Sequence, residues 1–179
     1  MVREVTLTPA VAPQPHEPLW LIAARREIGI RETPGSRATP RIVEYHKSTR
    51  LNASSDETPW CASFVGWALA QAGQKGTGSA RALSYASWGV WLDAPVLGCV
   101  AVLEYTGGRG HTGFVVGVDA GHVWLLGGNQ GDSVSIKKIS LAAIAGYRWP
   151  RGVPLPPKDE RTLGPIAEGG ALGGVAETR

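Results

Sequence analysis

Apolar positions divide the chain into two stretches of different period. Between residues 17 and 90 they recur at three- and four-residue spacing, as in helices; from residue 96 they alternate, or run in short β-branched stretches between Gly, Asp and Asn. Glu17 and Pro18 open a helix over residues 19–30, LWLIAARREIGI, with Leu19, Ile22, Ala23 and Ile30 expected to face inward. Thr39 and Pro40 give a cap followed by a proline suited to the first helical position, and Ile42, Tyr45 and His46 mark one side of a second short helix. A third helix is predicted over residues 58–73, TPWCASFVGWALAQAG. There Thr58 is the N-cap, Cys61 the third helical residue, and Phe64, Val65, Ala68, Leu69 and Ala72 the buried face. A glycine-rich turn and a short helical turn around residues 80–87 follow.

The strand segments are LGCVAVLEY, HTGFVVGVD, HVWLLGGN, SVSIKKI and AGYRWP, with linkers at 106–110, 119–121 and 131–132 short enough for hairpins. An antiparallel meander is expected. Helices first and strands afterwards predict an α+β domain, N-terminal helices packed on an antiparallel sheet. At 179 residues the chain suits one domain, read as residues 17–150, between an extended arm (1–16) and a Pro/Gly/Ala-rich tail (151–179).

No apolar run is long enough to span a bilayer, and the first 18 residues lack the apolar core of a signal peptide. The expectation is synthesis in the cytoplasm without stable membrane insertion. A net charge of +3, with its Lys and Arg scattered, suits an anionic polymer such as a cell wall better than nucleic acid. The two cysteines, Cys61 and Cys99, form no CxxC and no disulfide framework. With His111 and His122 they match no compact zinc pattern, so no metal is expected. GTGSAR and GGRG lack the strand-to-helix setting of a phosphate loop.

Cys61 sits where backbone N–H groups lack helical partners, a place that lowers a thiol pKa, although a cysteine can also simply pack. His111 follows TGGRG at the start of a strand and shares a face with Gly113, Val115 and Gly117, which leaves room beside the ring; a histidine at a surface turn fits equally. If this strand pairs with the next through the turn at 119–121, Asn129 falls nearly opposite His111. Asn129 is then the first candidate to orient the imidazole and Gln130 the second, while an ordinary polar turn would also explain GGNQGD. Trp60, Trp88 and Trp91 are candidate substrate-contacting rings that also suit a core. His16, His46 and His122 read as solvated or satisfied, and Cys99 as buried.

Cysteine at a helix head, histidine at a strand start and an amide at the end of the next strand: this order resembles the CHAP and NlpC-type cysteine amidases and peptidases of bacterial cell walls. Within that group the chain is similar to short proteins, many from phage genomes, that carry PWCASFVGWAL, GSARALSYASWG, GHTGFVVG, LLGGNQGDSVSI and GYRWP in this order, over about residues 59–150. The resemblance implies a papain-like fold, Cys61 as nucleophile, His111 as base, Asn129 or Gln130 as third member, peptidoglycan as substrate and no obligatory cofactor. The chain departs from relatives at Gly98 and Cys99, where they carry Gly-Asp. A glutamate that some CHAP enzymes use as third member has no counterpart, Gly127 and Gly128 standing in its place. The expected activity is cleavage of a stem-peptide amide, as N-acetylmuramoyl-L-alanine amidase or endopeptidase, by a monomer. A phage endolysin acting on the wall after release is the leading expectation. An injected antibacterial effector and a non-catalytic wall-binding or virion module are the alternatives.

Overall fold

The computed structural model describes residues 17–35, 37–161 and 163–166. The predicted arm, His16 and the end of the tail lie outside the described residues. Helices α1 (Leu19–Arg26), α2 (Pro40–His46) and α3 (Cys61–Gln71) precede a six-stranded antiparallel sheet, the α+β architecture expected. Among the described residues no helix is long and apolar enough to cross a membrane.

In α1 the inward face differs from the predicted one. Leu19 is 68% exposed, whereas Trp20, Leu21 and Ala24 are buried. The helix is turned by Trp20, whose indole N–H donates to the Gly98 carbonyl at 2.8 Å and whose ring meets Trp149 edge-on at 5.1 Å. A buried indole N–H needs such an acceptor, and that requirement outweighs the apolar stripe. α1 stops at Arg26, and Gly29, at φ +96°, takes a conformation that a longer helix could not include. In α2, Pro40 is the first residue and Ile42, Tyr45 and His46 are buried, as the spacing predicts.

α3 begins later than predicted: Trp60 is the N-cap and Cys61 the first helical residue. Every residue from Cys61 to Leu69 is buried, not one face alone. The reason is its position, with α1 and α2 against it on one side and the sheet on the other. Phe64 packs against the rings of Tyr45, Trp67 and Phe114. Truncating such a ring to alanine costs about 3–5 kcal/mol.

The strands are β1 (Val90–Leu92), β2 (Val100–Tyr105), β3 (Arg109–Val118), β4 (His122–Gly127), β5 (Ser135–Ser140) and β6 (Ile144–Trp149). Their order is β1-β6-β2-β3-β4-β5, so only β2 to β5 form the expected meander. β6 returns to the far side of β2, and β1, which local pattern did not predict, pairs with its outer edge. The described end of the tail lies against β3: the Val118 N–H donates to Gly164 at 3.0 Å, and Ile166 fills the space over Gly117.

Candidate active site

The first bond within α3 runs from the Phe64 N–H to the Trp60 carbonyl at 2.9 Å, so the N–H groups of Cys61, Ala62 and Ser63 precede the helical ladder. The Ala62 N–H and the Thr112 N–H on β3 act on the Cys61 thiol electrostatically, each lowering its pKa. Sheet register explains why Thr112 is available. Val115 donates to Cys99 on β2, so alternate residues of β3, Thr112 among them, point their N–H toward β4. Phe114 pairs with Leu126, and the next such partner of Thr112 would be Gly128. But β4 ends at Gly127. The ladder opens there, and α3 packs against this part of β3 and β4.

His111 immediately precedes Thr112, whose N–H lowers the Cys61 thiol pKa. Its Nε2 lies 3.0 Å from Gln130 Oε1. Gln130 is 5% exposed and fixed on every side: its side-chain nitrogen donates to Leu125 at 3.1 Å and Ser135 at 2.7 Å, and its own N–H to Ser133 at 2.9 Å. Of the two orienters read from the sequence, Gln130 is therefore the one bonded to the ring. Asn129 takes φ +57°, which breaks the register that would have set it across from His111 and swings the next residue inward. Among the described residues its side chain makes no hydrogen bond. No hydrogen bond joins the Cys61 sulfur directly to the imidazole among these residues either.

Burial pushes the Cys61 thiol up, against the lowering influence of the N–H groups of Ala62, Thr112 and Cys61 itself. The lowered thiol pKa expected at a helix end is thus not what this setting produces. Burial likewise pushes His111 down, opposed by Gln130 and reinforced by the charge of Lys137. Both shifts favour a neutral thiol beside a neutral imidazole. Cys61 as a residue is 7% exposed. Tyr85 and Tyr105 lie near it: burial raises both phenols, and charge on Cys61 raises them further. Neither tyrosine was singled out from sequence, although SYASWG carried a signal for Tyr85.

The tryptophans have three different fates. Trp60 is wholly buried, its indole N–H on Glu32 at 2.8 Å and its ring against Tyr45 and Gly128, so it backs the site and has no open face for substrate. Trp88 is half-buried and lines a cleft of about 650 Å³. Trp91 is 53% exposed on the edge strand, under the guanidinium of Arg148 at 4.8 Å. His46 is buried between Ser63 and Ser55, His122 pairs with Asp119, and Cys99 is fully buried. Among the described residues no three His, Cys, Asp or Glu side chains are grouped to hold a metal ion.

A cysteine heading a buried helix, set against a sheet whose histidine is held by an amide, is the arrangement of the papain-like α+β class. Residues 53–129 match the family model described as CHAP domain, so this stretch is similar to that family. CHAP domains are generally cysteine amidases or peptidases, in a family of peptidoglycan hydrolases. The match runs from the approach to α3 to two residues past β4 and includes Cys61, His111 and Asn129. No curated protein matches the chain.

Proposed function

We propose that the chain hydrolyses an amide bond of the peptidoglycan stem peptide, with Cys61 as nucleophile, His111 as base and Gln130, rather than Asn129, as the group that orients His111. The observation that carries the reading is that His111 is held by Gln130 at 3.0 Å on β3, the strand packed against α3, of which Cys61 is the first residue. The resting pair is neutral, so nucleophile and acceptor are formed in one step: His111 takes the thiol proton as sulfur attacks the substrate carbonyl. The free N–H groups at the head of α3, that of Cys61 first, face the developing oxyanion, and removing one such donor elsewhere costs about 3 kcal/mol. The imidazolium then protonates the leaving amine, giving a thioester on Cys61. Water, deprotonated by His111, releases the acid and restores the thiol.

The bond cut is either that between muramic acid and L-alanine or one within the stem. We place an endolysin ahead of an injected effector on the resemblance read from the sequence alone. Clearing of purified cell walls by the wild type and not by Cys61→Ala tests the reading, and equal clearing by both would sink it. Mass spectrometry of the released fragments identifies the new amine and so the bond. Intact walls that bind either protein without release of any amine would indicate the non-catalytic module instead.

A further inference from the structure

The cleft beside Trp88 is lined by Arg50, Thr77, Ser79, Arg81 and Leu83, and has about 650 Å³ of space. Two of these residues are cationic, and among the described residues neither guanidinium has a carboxylate partner. The walls are ordered before any ligand arrives. Thr77 Oγ1 lies 2.7 Å from Ser84 Oγ and accepts the Ser79 N–H at 3.1 Å, and Ser79 Oγ accepts the Arg81 N–H at 3.2 Å. Arg50 donates its backbone N–H to Gly78 at 2.8 Å. Its Nη1 sits 3.0 Å from where a Cβ of Gly78 would stand, and Gly78 has φ +67°, so the loop is shaped to let that side chain lie across it.

This cleft borders the site already described. Leu83 presses on Gly110, the residue before His111, leaving no space for a Cβ there. Tyr85, on the same 3-10 turn (Ala82–Ser87), holds its hydroxyl 2.6 Å from where a Cβ of Gly76 would stand, and charge on Cys61 raises its phenol. A ligand whose amide lies at Cys61 therefore extends over Leu83 toward the two arginines. Unpaired guanidiniums over fixed hydroxyls suit a carboxylate, which accepts paired N–H bonds from arginine.

Resting on the hydrolase reading above, we propose that Arg50 and Arg81 form the subsite that takes a free carboxylate of the peptidoglycan stem peptide, with Trp88 as its apolar wall. It makes the GTGSAR segment a substrate-binding loop.

The test is calorimetric titration of the full chain carrying Cys61→Ala, which prevents turnover, with a synthetic stem tetrapeptide. One form of the peptide has its carboxylates free, the other has them amidated. Arg50→Gln or Arg81→Gln should weaken binding of the free acid by about tenfold or more. The amidated peptide should bind weakly from the outset and be indifferent to both substitutions, the coupling expected of a direct pair. Both arginines are exposed, so unchanged melting curves should confirm that the variants fold. No binding of the free acid, equal loss for both peptides, or tighter binding of inorganic phosphate than of the peptide would overturn the assignment. Cell-wall clearing is followed in parallel with the same arginine substitutions on the wild-type background. Clearing with arginine-independent affinity rejects the subsite alone, and arginine-dependent binding without clearing by wild type rejects hydrolysis alone.

Discussion

His111 Nε2 and Gln130 Oε1 stand 3.0 Å apart, and the bond fixes which ring nitrogen carries the proton. The Gln130 side-chain nitrogen is committed to the carbonyls of Leu125 and Ser135, so its oxygen must face the ring. The ring nitrogen opposite that oxygen is the donor. In the neutral ring Nδ1 is therefore bare, and it is the proton acceptor. Gln130→Ala removes the bond that holds this tautomer and is expected to lower kcat about 100-fold in a dye-release assay on cell walls. Asn129→Ala, which takes no hydrogen bond from the ring, should retain more than half of the activity.

The pH profile follows from the same surroundings. Burial lowers the His111 pKa from its ordinary 6.5, so the neutral ring persists into more acid solution than a solvated histidine would. The acid limb of kcat/KM should consequently fall below pH 6.5. Gln130→Glu sets an anion against the ring and stabilises the imidazolium, which should move that limb upward. A profile whose acid limb is the same in both proteins would disconnect Gln130 from the titrating group.

Two adjacent glycines separate activity from stability. A Cβ on Gly127 would stand 3.0 Å from Gln130 Oε1 and 3.2 Å from His111 Nε2, so Gly127→Ala presses on the pair that orients the base. A Cβ on Gly128 would meet the Trp60 ring at 2.5 Å and Phe64 Cβ at 2.7 Å, well inside contact distance. Gly128→Ala should therefore destabilise the fold by about 1–3 kcal/mol. Gly127→Ala should lower kcat with a much smaller change in melting temperature. Urea titrations and wall-clearing rates on both variants check the contrast.

What could be read in the sequence was whatever depends on neighbours along the chain. α2 was legible because Thr39-Pro40 and the spacing of Ile42, Tyr45 and His46 are local, and β2 to β5 because each alternates and ends in a turn. β1 is three residues long and exists only by pairing with β6, as Leu92 with Tyr147, so no local pattern announces it. The face of α1 was misjudged because an acceptor distant in sequence, the Gly98 carbonyl, captures Trp20. In the site, Cys61 and His111 stood out by their places at the head of a helix and near the start of a strand. Choosing between Asn129 and Gln130 required the left-handed backbone at Asn129, which an ideal register does not contain. Arg50 and Arg81 lie in separate loops, and only the fold brings them to one cleft.

The support behind the site predicts a pH dependence of stability. Glu27, at the end of α1, accepts Arg41 Nε at 2.7 Å, Arg41 Nη2 at 2.8 Å and the Tyr45 hydroxyl at 2.6 Å. Tyr45 in turn packs on Trp60 at 5.8 Å, the residue before Cys61. Burial raises the Glu27 pKa, but the bonds from Arg41 and Tyr45 outweigh it and hold the carboxyl below its ordinary 4.5. The unfolded chain thus binds a proton more readily than the native one. The stabilisation is fully present above pH 4.5 and is lost as pH falls through the lower native value. Arg41 is 35% exposed, so solvent screens part of the attraction, and Glu27→Gln should cost about 2 kcal/mol at neutral pH. Guanidinium unfolding curves recorded near neutrality and again below pH 4.5 should show the gap between wild type and variant narrowing in acid. A gap of constant size would mean that the lost packing of Glu27, and not its charge, had been measured.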